Sequence, residues 1–186
     1  MSETGTPGRN VETKARCGSL AELASKLPAA GARYDGRLEQ TDTYFAVDGA
    51  RLKLREYAHV FPDGRSERAA ELIRYERPDT PGARDSDYVR TPVADANACR
   101  AELAGRHGVR GVVRKRRELW LAGSTRVHLD EVEGLGAYVE LETVIGDAPE
   151  ETYREEHDAL LALLGIRTAD TIGGSYVDLV GAGHDC

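Results

Sequence analysis

Cysteine is scarce in this chain. Cys17, Cys99 and Cys186 are odd in number and far apart, which argues against a disulfide framework or a Cys-rich zinc site. No uninterrupted apolar run approaches the roughly 18 residues of a membrane span. Met1 to Gly8 lacks the basic-then-apolar layout of a secretory signal, so a cytoplasmic protein is expected. There is no Walker-type phosphate loop, no Rossmann glycine fingerprint and no H-E-x-x-H. No Ser or Cys sits in a nucleophile elbow. His59, His107, His128, His157 and His184 are dispersed and read as surface or packing residues rather than ligands. A phosphate-handling site in such a chain has to come from strand side chains.

What is present is one domain's worth of chain. There are 186 residues, 40% of them hydrophobic, enough for one ordinary core and too many for wholesale disorder. The formal charge is −7, unevenly spread. Residues 1–117 hold 22 Lys/Arg against 17 Asp/Glu, whereas residues 118–186 hold 3 against 15. An acidic balance speaks against bulk nucleic-acid binding, so neither nucleic acid nor membrane is an expected partner.

Residues 1–8 read as a flexible leader, 9–180 as the single domain and 181–186 as a tail. Residues 9–17 alternate with period two, hence a strand. Ser19, with Glu22 three residues on, opens a capped helix through Leu27. Strands 41–47 and 50–57 flank Asp48-Gly49, a hairpin signal. Residues 58–69, with Pro62-Asp63-Gly64, read as a turn or longer loop. Strands follow at 70–77 and near 88–93, then a helix at 95–107 with Asp95 as N-cap. Three more strands cover 109–123, 124–132 and 137–145. A helix spans about 149–164, and 168–180 adds a short one. Hairpin connections predict a mainly antiparallel sheet.

Several strands carry rows of ionisable groups on one face: Glu12/Lys14, Arg51/Lys53/Arg55, Lys115/Arg117 and Glu140/Glu142. If the sheet closes, one face of every strand looks inward. A charged interior cannot stay dry and empty, because unpaired buried charge is costly. Water, metal ions and an anionic ligand would satisfy it. Glu140 and Glu142, at i and i+2, lie on one strand face about 7 Å apart along the chain. Asp130 in the preceding strand can lie opposite them. Hard divalent cations favour such oxygens together with substrate phosphates. By itself E-x-E also fits a solvated edge strand. The basic rows suit phosphate, with Arg as a planar fork and Lys as a point charge. They also fit a solvated surface or a nucleic-acid patch, although alternation splits Arg114 and Arg116 from Lys115 and Arg117.

The segments NVETKAR (10–16), GRLEQTDTYF (36–45), RLKLRE (51–56), VVRKRRELW (112–120), VHLDEVEGLGAYVELE (127–142) and SYVDLV (175–180) carry a family likeness. The chain resembles the CYTH superfamily, the triphosphate tunnel metalloenzymes, and within it the class IV adenylyl cyclase branch. The resemblance implies an α+β fold: a closed, mainly antiparallel eight-stranded β-barrel, a tunnel, with helices packed outside. It implies Mg²⁺ or Mn²⁺ at Glu12, Asp130, Glu140 and Glu142, and phosphate contacts from Lys14, Lys53, Arg55, Arg74, Lys115 and Arg117. Glu12, Lys14 and Glu140 would be the catalytic set. The implied reaction converts ATP to cyclic AMP and pyrophosphate. Hydrolysis of inorganic triphosphate, thiamine triphosphate or another phosphorylated metabolite is the alternative, and non-catalytic polyphosphate binding a third. A homodimer would fit the resemblance. One departure stands out: the family's first-strand Glu-x-Glu-x-Lys begins here with Asn10, which keeps an amide oxygen but loses a charge.

Overall fold

The computed structural model describes residues 5–76 and 78–182. Eight strands form a closed barrel: β1 (Thr6–Arg16), β2 (Arg33–Phe45), β3 (Arg51–Val60), β4 (Ser66–Glu76), β5 (Arg84–Pro92), β6 (Val109–Ala122), β7 (Thr125–Val132) and β8 (Gly136–Val144). Their order around the barrel is β1-β5-β4-β3-β2-β6-β7-β8, and every pairing is antiparallel. The helices are α1 (Leu20–Lys26), α2 (Ala96–His107), α3 (Glu150–Leu164) and α4 (Tyr176–Ala182). None of the described helices is long and apolar enough to cross a membrane.

The two capped helices form where their polar residues allow it. Ser19 accepts from Glu22 N at 3.2 Å, and Asp95 accepts from Ala98 N at 2.9 Å, each satisfying an orphan donor of the first turn. Several strand limits differ from expectation, β5 among them, which starts at Arg84 rather than near residue 88. β1 starts at Thr6, inside the stretch read as a leader, while residues 1–4 lie outside the described ones. β2 starts at Arg33, eight residues before the expected strand. Its first part carries a bulge at Tyr34/Gly36. Gly36 has φ 129°, and a Cβ there would lie 2.4 Å from the Val60 carbonyl oxygen, so no other residue fits without strain. β3 and β4 run through most of the expected 58–69 loop, leaving only the turn around Pro62-Asp63-Gly64. The cause is long hairpin pairing out to Val60↔Ser66, which alternating polar residues did not announce. α4 runs into the expected tail as far as Ala182, and residues 183–186, like Arg77, lie outside the description.

The barrel inverts the usual burial. Its hydrophobic core lies outside, between strands and helices. Ala15 of β1, Val127 and Leu129 of β7, and Val139 and Leu141 of β8 pack against Leu23 and Leu27 from the α1 segment and against Leu160 and Leu164 of α3. Polar pins lock α3 in place: His157, fully buried, bonds Thr13 Oγ1 and Thr143 Oγ1, each at 2.8 Å. Since side chains alternate along each strand, committing these odd-numbered positions to the outer core turns Asn10, Glu12, Lys14, His128, Asp130, Glu140 and Glu142 inward. A second cluster, with Tyr44, Val113, Val132, Tyr138, Tyr176 and Val177, seats α4 against one end of the barrel.

Candidate active site in the barrel interior

A cavity that opens to solvent runs into the barrel interior. Asn10, Glu12, Lys14, Lys53, Arg55, Lys115, Glu140 and Glu142 all line it. Register explains the grouping. Lys14 stands opposite Glu140 and Glu12 opposite Glu142 across β1/β8, while His128 pairs with Glu140 and Arg126 with Glu142 across β8/β7.

The basic pairs are built alike on two strands. In β3, Lys53 and Arg55 grip Asp42 of β2: Lys53 Nζ donates at 3.0 Å, Arg55 Nε at 3.0 Å and Arg55 Nη2 at 3.1 Å. In β6, Lys115 and Arg117 grip Asp130 of β7: Lys115 Nζ donates at 3.1 Å, Arg117 Nε at 2.6 Å and Arg117 Nη2 at 2.7 Å. Arg55 faces Asp42 in register just as Arg117 faces Asp130. Each aspartate thus holds a Lys-x-Arg pair from one side. Among the described residues these bonds use only part of the five donors of each arginine and the three of each ammonium. Aligned from behind, these donors suit a polyanion in the lumen.

The carboxylates are ionised despite burial. Burial is the largest influence on Asp42 and raises it, but Arg55 and Lys53 together hold it well below the usual range. The same balance holds Asp130 down, with Arg117 and Lys115 outweighing burial. Glu140 is lowered against its burial by Lys14, His128 and Arg117. Glu142 falls to about 2, with His128 and Arg126 overcoming burial. The lysines respond the other way. Burial, then Arg55, lowers Lys53 to about 7; burial, then Arg117, lowers Lys115 to about 8.

The metal-ligand set expected from sequence meets the lumen unequally. Asp130 is fully buried and its two oxygens take Arg117, Lys115 and the Tyr176 hydroxyl, the last at 2.9 Å. In this arrangement it anchors cations. Glu12 Oε1 accepts from Arg84 at 3.1 Å. Glu140 binds Lys14 at 3.0 Å and Arg117 at 2.8 Å. Glu142 gives Oε2 to Arg126 and leaves Oε1 turned towards His128. The donor chemistry fits a divalent cation: ligand atoms of His128, Glu140 and Glu142 all lie within 4.8 Å of one another, and the buried Asn10 Oδ1 and His128 Nδ1 have no hydrogen-bond partner.

Arg74 is a correction. It is exposed and pairs with Glu76 at 3.2 Å. The lumen positions of β4 are Ile73 and Tyr75, so alternation turns Arg74 outward. Sequence reasoning also passed over Asp42, Arg84, Arg90, Arg126 and His128. Arg126 and His128 share the phase of Asp130, and Asp42 shares that of Tyr44, so strand period carried a usable signal. His128 is 4% exposed and lies inside the barrel, where a packing or surface role had been expected.

The two ends of the tunnel differ. At one, Tyr176 reaches in from α4, its ring centroid 4.1 Å from Lys14 Nζ and 4.8 Å from Lys115 Nζ. Ser175 bonds Tyr75 at 2.9 Å, and Asp178 takes Arg110 at 2.5 Å. The other end continues from Arg55, Arg117 and Arg126 into a section lined by Leu38, Tyr57, His59, Phe61 and Leu119.

Comparison with known proteins follows the same lines. The CYTH domain profile matches residues 8–176. The PH1012 protein from Pyrococcus horikoshii OT3 is 25% identical, with 91% of this chain and 98% of that one covered and a TM-score of 0.74. The PH1819 protein of the same organism is 20% identical over 94% and 99%, with a TM-score of 0.69. A Vibrio parahaemolyticus protein provisionally described as an adenylate cyclase is 19% identical over 94% and 98%, with a TM-score of 0.67. The last two likenesses establish the fold. No curated protein matches the chain significantly. CYTH proteins are typically metal-dependent enzymes. With a profile spanning nearly all of the barrel, the chain belongs to the CYTH domain family.

Proposed function

We propose that the barrel is a metal-dependent active site for a nucleoside triphosphate, and that its reaction is of the adenylyl cyclase type. The observation that carries this reading is the pair of Asp-anchored Lys-x-Arg units facing one lumen. Lys53, Arg55, Lys115 and Arg117, joined by Lys14, supply the positive charge that a triphosphate chain needs along its length. The section at the tunnel end away from Tyr176 sets Leu38, Tyr57, Phe61 and Leu119 beside polar groups such as Gln40 and Glu67, which offers a nucleoside aromatic and apolar surface together with hydrogen-bonding groups. An inorganic triphosphate has no use for it, which favours a nucleotide.

In this reading the α-phosphate lies near Arg55, Arg117 and Arg126, and the β- and γ-phosphates lie deeper, near Lys14, Lys53 and Lys115. The ribose 3′-oxygen attacks the α-phosphorus, its proton leaves, and the bond to the β-bridging oxygen breaks. Cyclic AMP and pyrophosphate result. The basic groups stabilise charge developing on the leaving pyrophosphate without reorganising, because Asp42 and Asp130 already hold them. A divalent cation bound by the carboxylates would supply further charge neutralisation and lower the pKa of the attacking hydroxyl.

Incubation with ATP and Mn²⁺, read by ³¹P NMR and mass spectrometry, tests the proposal. Cyclic AMP and pyrophosphate are expected in equal amounts. Orthophosphate without pyrophosphate would overturn the cyclase chemistry in favour of hydrolysis. Tight ATP binding with no product would overturn enzymatic function altogether.

A further inference from the structure

His128 has no part in the phosphate contacts described so far. It is 4% exposed, and its Nδ1 makes no hydrogen bond. That nitrogen points at two carboxylates, lying 3.6 Å from Glu140 Oε2 and 3.9 Å from Glu142 Oε1. A direct hydrogen bond would close to about 2.9 Å. Leaving a buried ring nitrogen unpaired is unfavourable, so the gap calls for an occupant. The three ligand atoms lie within 4.8 Å of one another. Neighbouring ligands of a first-row divalent ion sit roughly 3–4 Å apart, given metal–ligand bonds of about 2.0–2.2 Å. The set is therefore close to closed.

The surrounding residues orient these groups. Arg126 holds Glu142 Oε2 at 2.9 Å, which turns Oε1 towards His128. Lys14 holds Glu140 Oε1 at 3.0 Å. Such outer contacts fix first ligands in place. Glu140 Oε2 also accepts from Arg117 Nη2 at 2.8 Å, so an ion bound there shares that oxygen with the guanidinium. Asp130 is filled by Arg117, Lys115 and Tyr176, Glu12 is held by Arg84, and Asn10 brings no charge.

We propose that His128 is a metal ligand, completing with Glu140 and Glu142 a His-Glu-Glu set that selects Mn²⁺ or Co²⁺ over Mg²⁺. Imidazole suits transition ions, whereas Mg²⁺ takes oxygen. Coordination through Nδ1 leaves the proton on Nε2. The inference rests on reading the tunnel as metal-dependent but not on which reaction it performs.

Untagged, metal-depleted protein loaded with Co²⁺ provides the test by ¹H NMR. One hyperfine-shifted, solvent-exchangeable imidazole N–H resonance is expected in the native chain. It should be absent from His128→Asn, whose Co²⁺ and Mn²⁺ dissociation constants should rise at least about tenfold while that for Mg²⁺ moves much less. Glu142→Gln should weaken Co²⁺ binding yet keep the resonance at saturating metal. Absence of the resonance from Co²⁺-loaded native protein would overturn the proposal, with or without a folded His128→Asn. So would unchanged Co²⁺ affinity in that variant. Nucleotide turnover with Mg²⁺ alongside such a failure would leave the proposed activity standing.

Discussion

Replacing Arg117 by methionine is expected to cost about 3–5 kcal/mol of folding stability, because it strips a buried cation from two buried carboxylates. Arg117 is 2% exposed and bonds both oxygens of Asp130 as well as Glu140 Oε2. In the variant, Asp130 retains Lys115 and Tyr176, and Glu140 retains Lys14. Neither retains a planar fork, so Arg117→Lys should recover only part of the loss. Urea denaturation at pH 7 reads the difference directly. Its pH dependence follows from the carboxylates. Asp130 and Glu140 have depressed folded-state pKa values. Their stabilisation is present above the unfolded values of about 4 and is lost as pH falls through the folded ones. The gap between native chain and variant should therefore be widest near neutrality and narrow in acid. A gap that is constant down to pH 3 would mean that the ion pairs contribute little.

The second large effect concerns the lysines. Lys53 at about 7 and Lys115 at about 8 are partly neutral at pH 8, since burial and the neighbouring arginines disfavour their charge. A polyphosphate reverses that preference. Binding at pH 8 should take up about one to two protons, and affinity should fall up to about tenfold per pH unit for each lysine that must recharge. Without ligand the sign is opposite. The folded-state pKa values lie below the unfolded value of about 10.4, so between pH 7 and 10 the unfolded chain holds more protons and stability gains from these lysines as pH rises. Calorimetric titration with an ATP analogue in buffers of different ionisation enthalpy measures the uptake. Lys53→Met should remove about two thirds of it, which separates the protein's protons from the ligand's. No proton uptake at pH 8 would mean that the lysines stay charged without ligand or do not meet the phosphates.

Much of this arrangement can be read from strand phase. Glu12 with Lys14, Lys53 with Arg55, Lys115 with Arg117 and Glu140 with Glu142 recur at i and i+2, and closure turns each pair inward. The early cations and late carboxylates of an unevenly charged chain meet in one lumen for that reason. Arg74 also fits a period of two, but phase alone does not say which face of β4 is inside. Tyr75 and Ile73 fill the lumen there, and only the packed barrel decides it. Asp42 and His128 escaped notice for a different cause. Each is a single residue whose role depends on a partner across a strand: Asp42 on Arg55, and His128 on Glu140. Pairing register, fixed by the bulge at Gly36 and by the outer helices, is tertiary information. The engagement of Asp130 by three donors is equally hidden in sequence, since one donor, Tyr176, lies 46 residues away.

A structure of the protein with a non-hydrolysable ATP analogue and Mn²⁺ would show directly where the phosphates sit. Phosphate oxygens are expected inside the barrel, about 3 Å from nitrogens of Lys53, Arg55, Lys115 and Arg117. An analogue seated on the outer surface, with the Asp42 and Asp130 clusters untouched by phosphate, would contradict that placement.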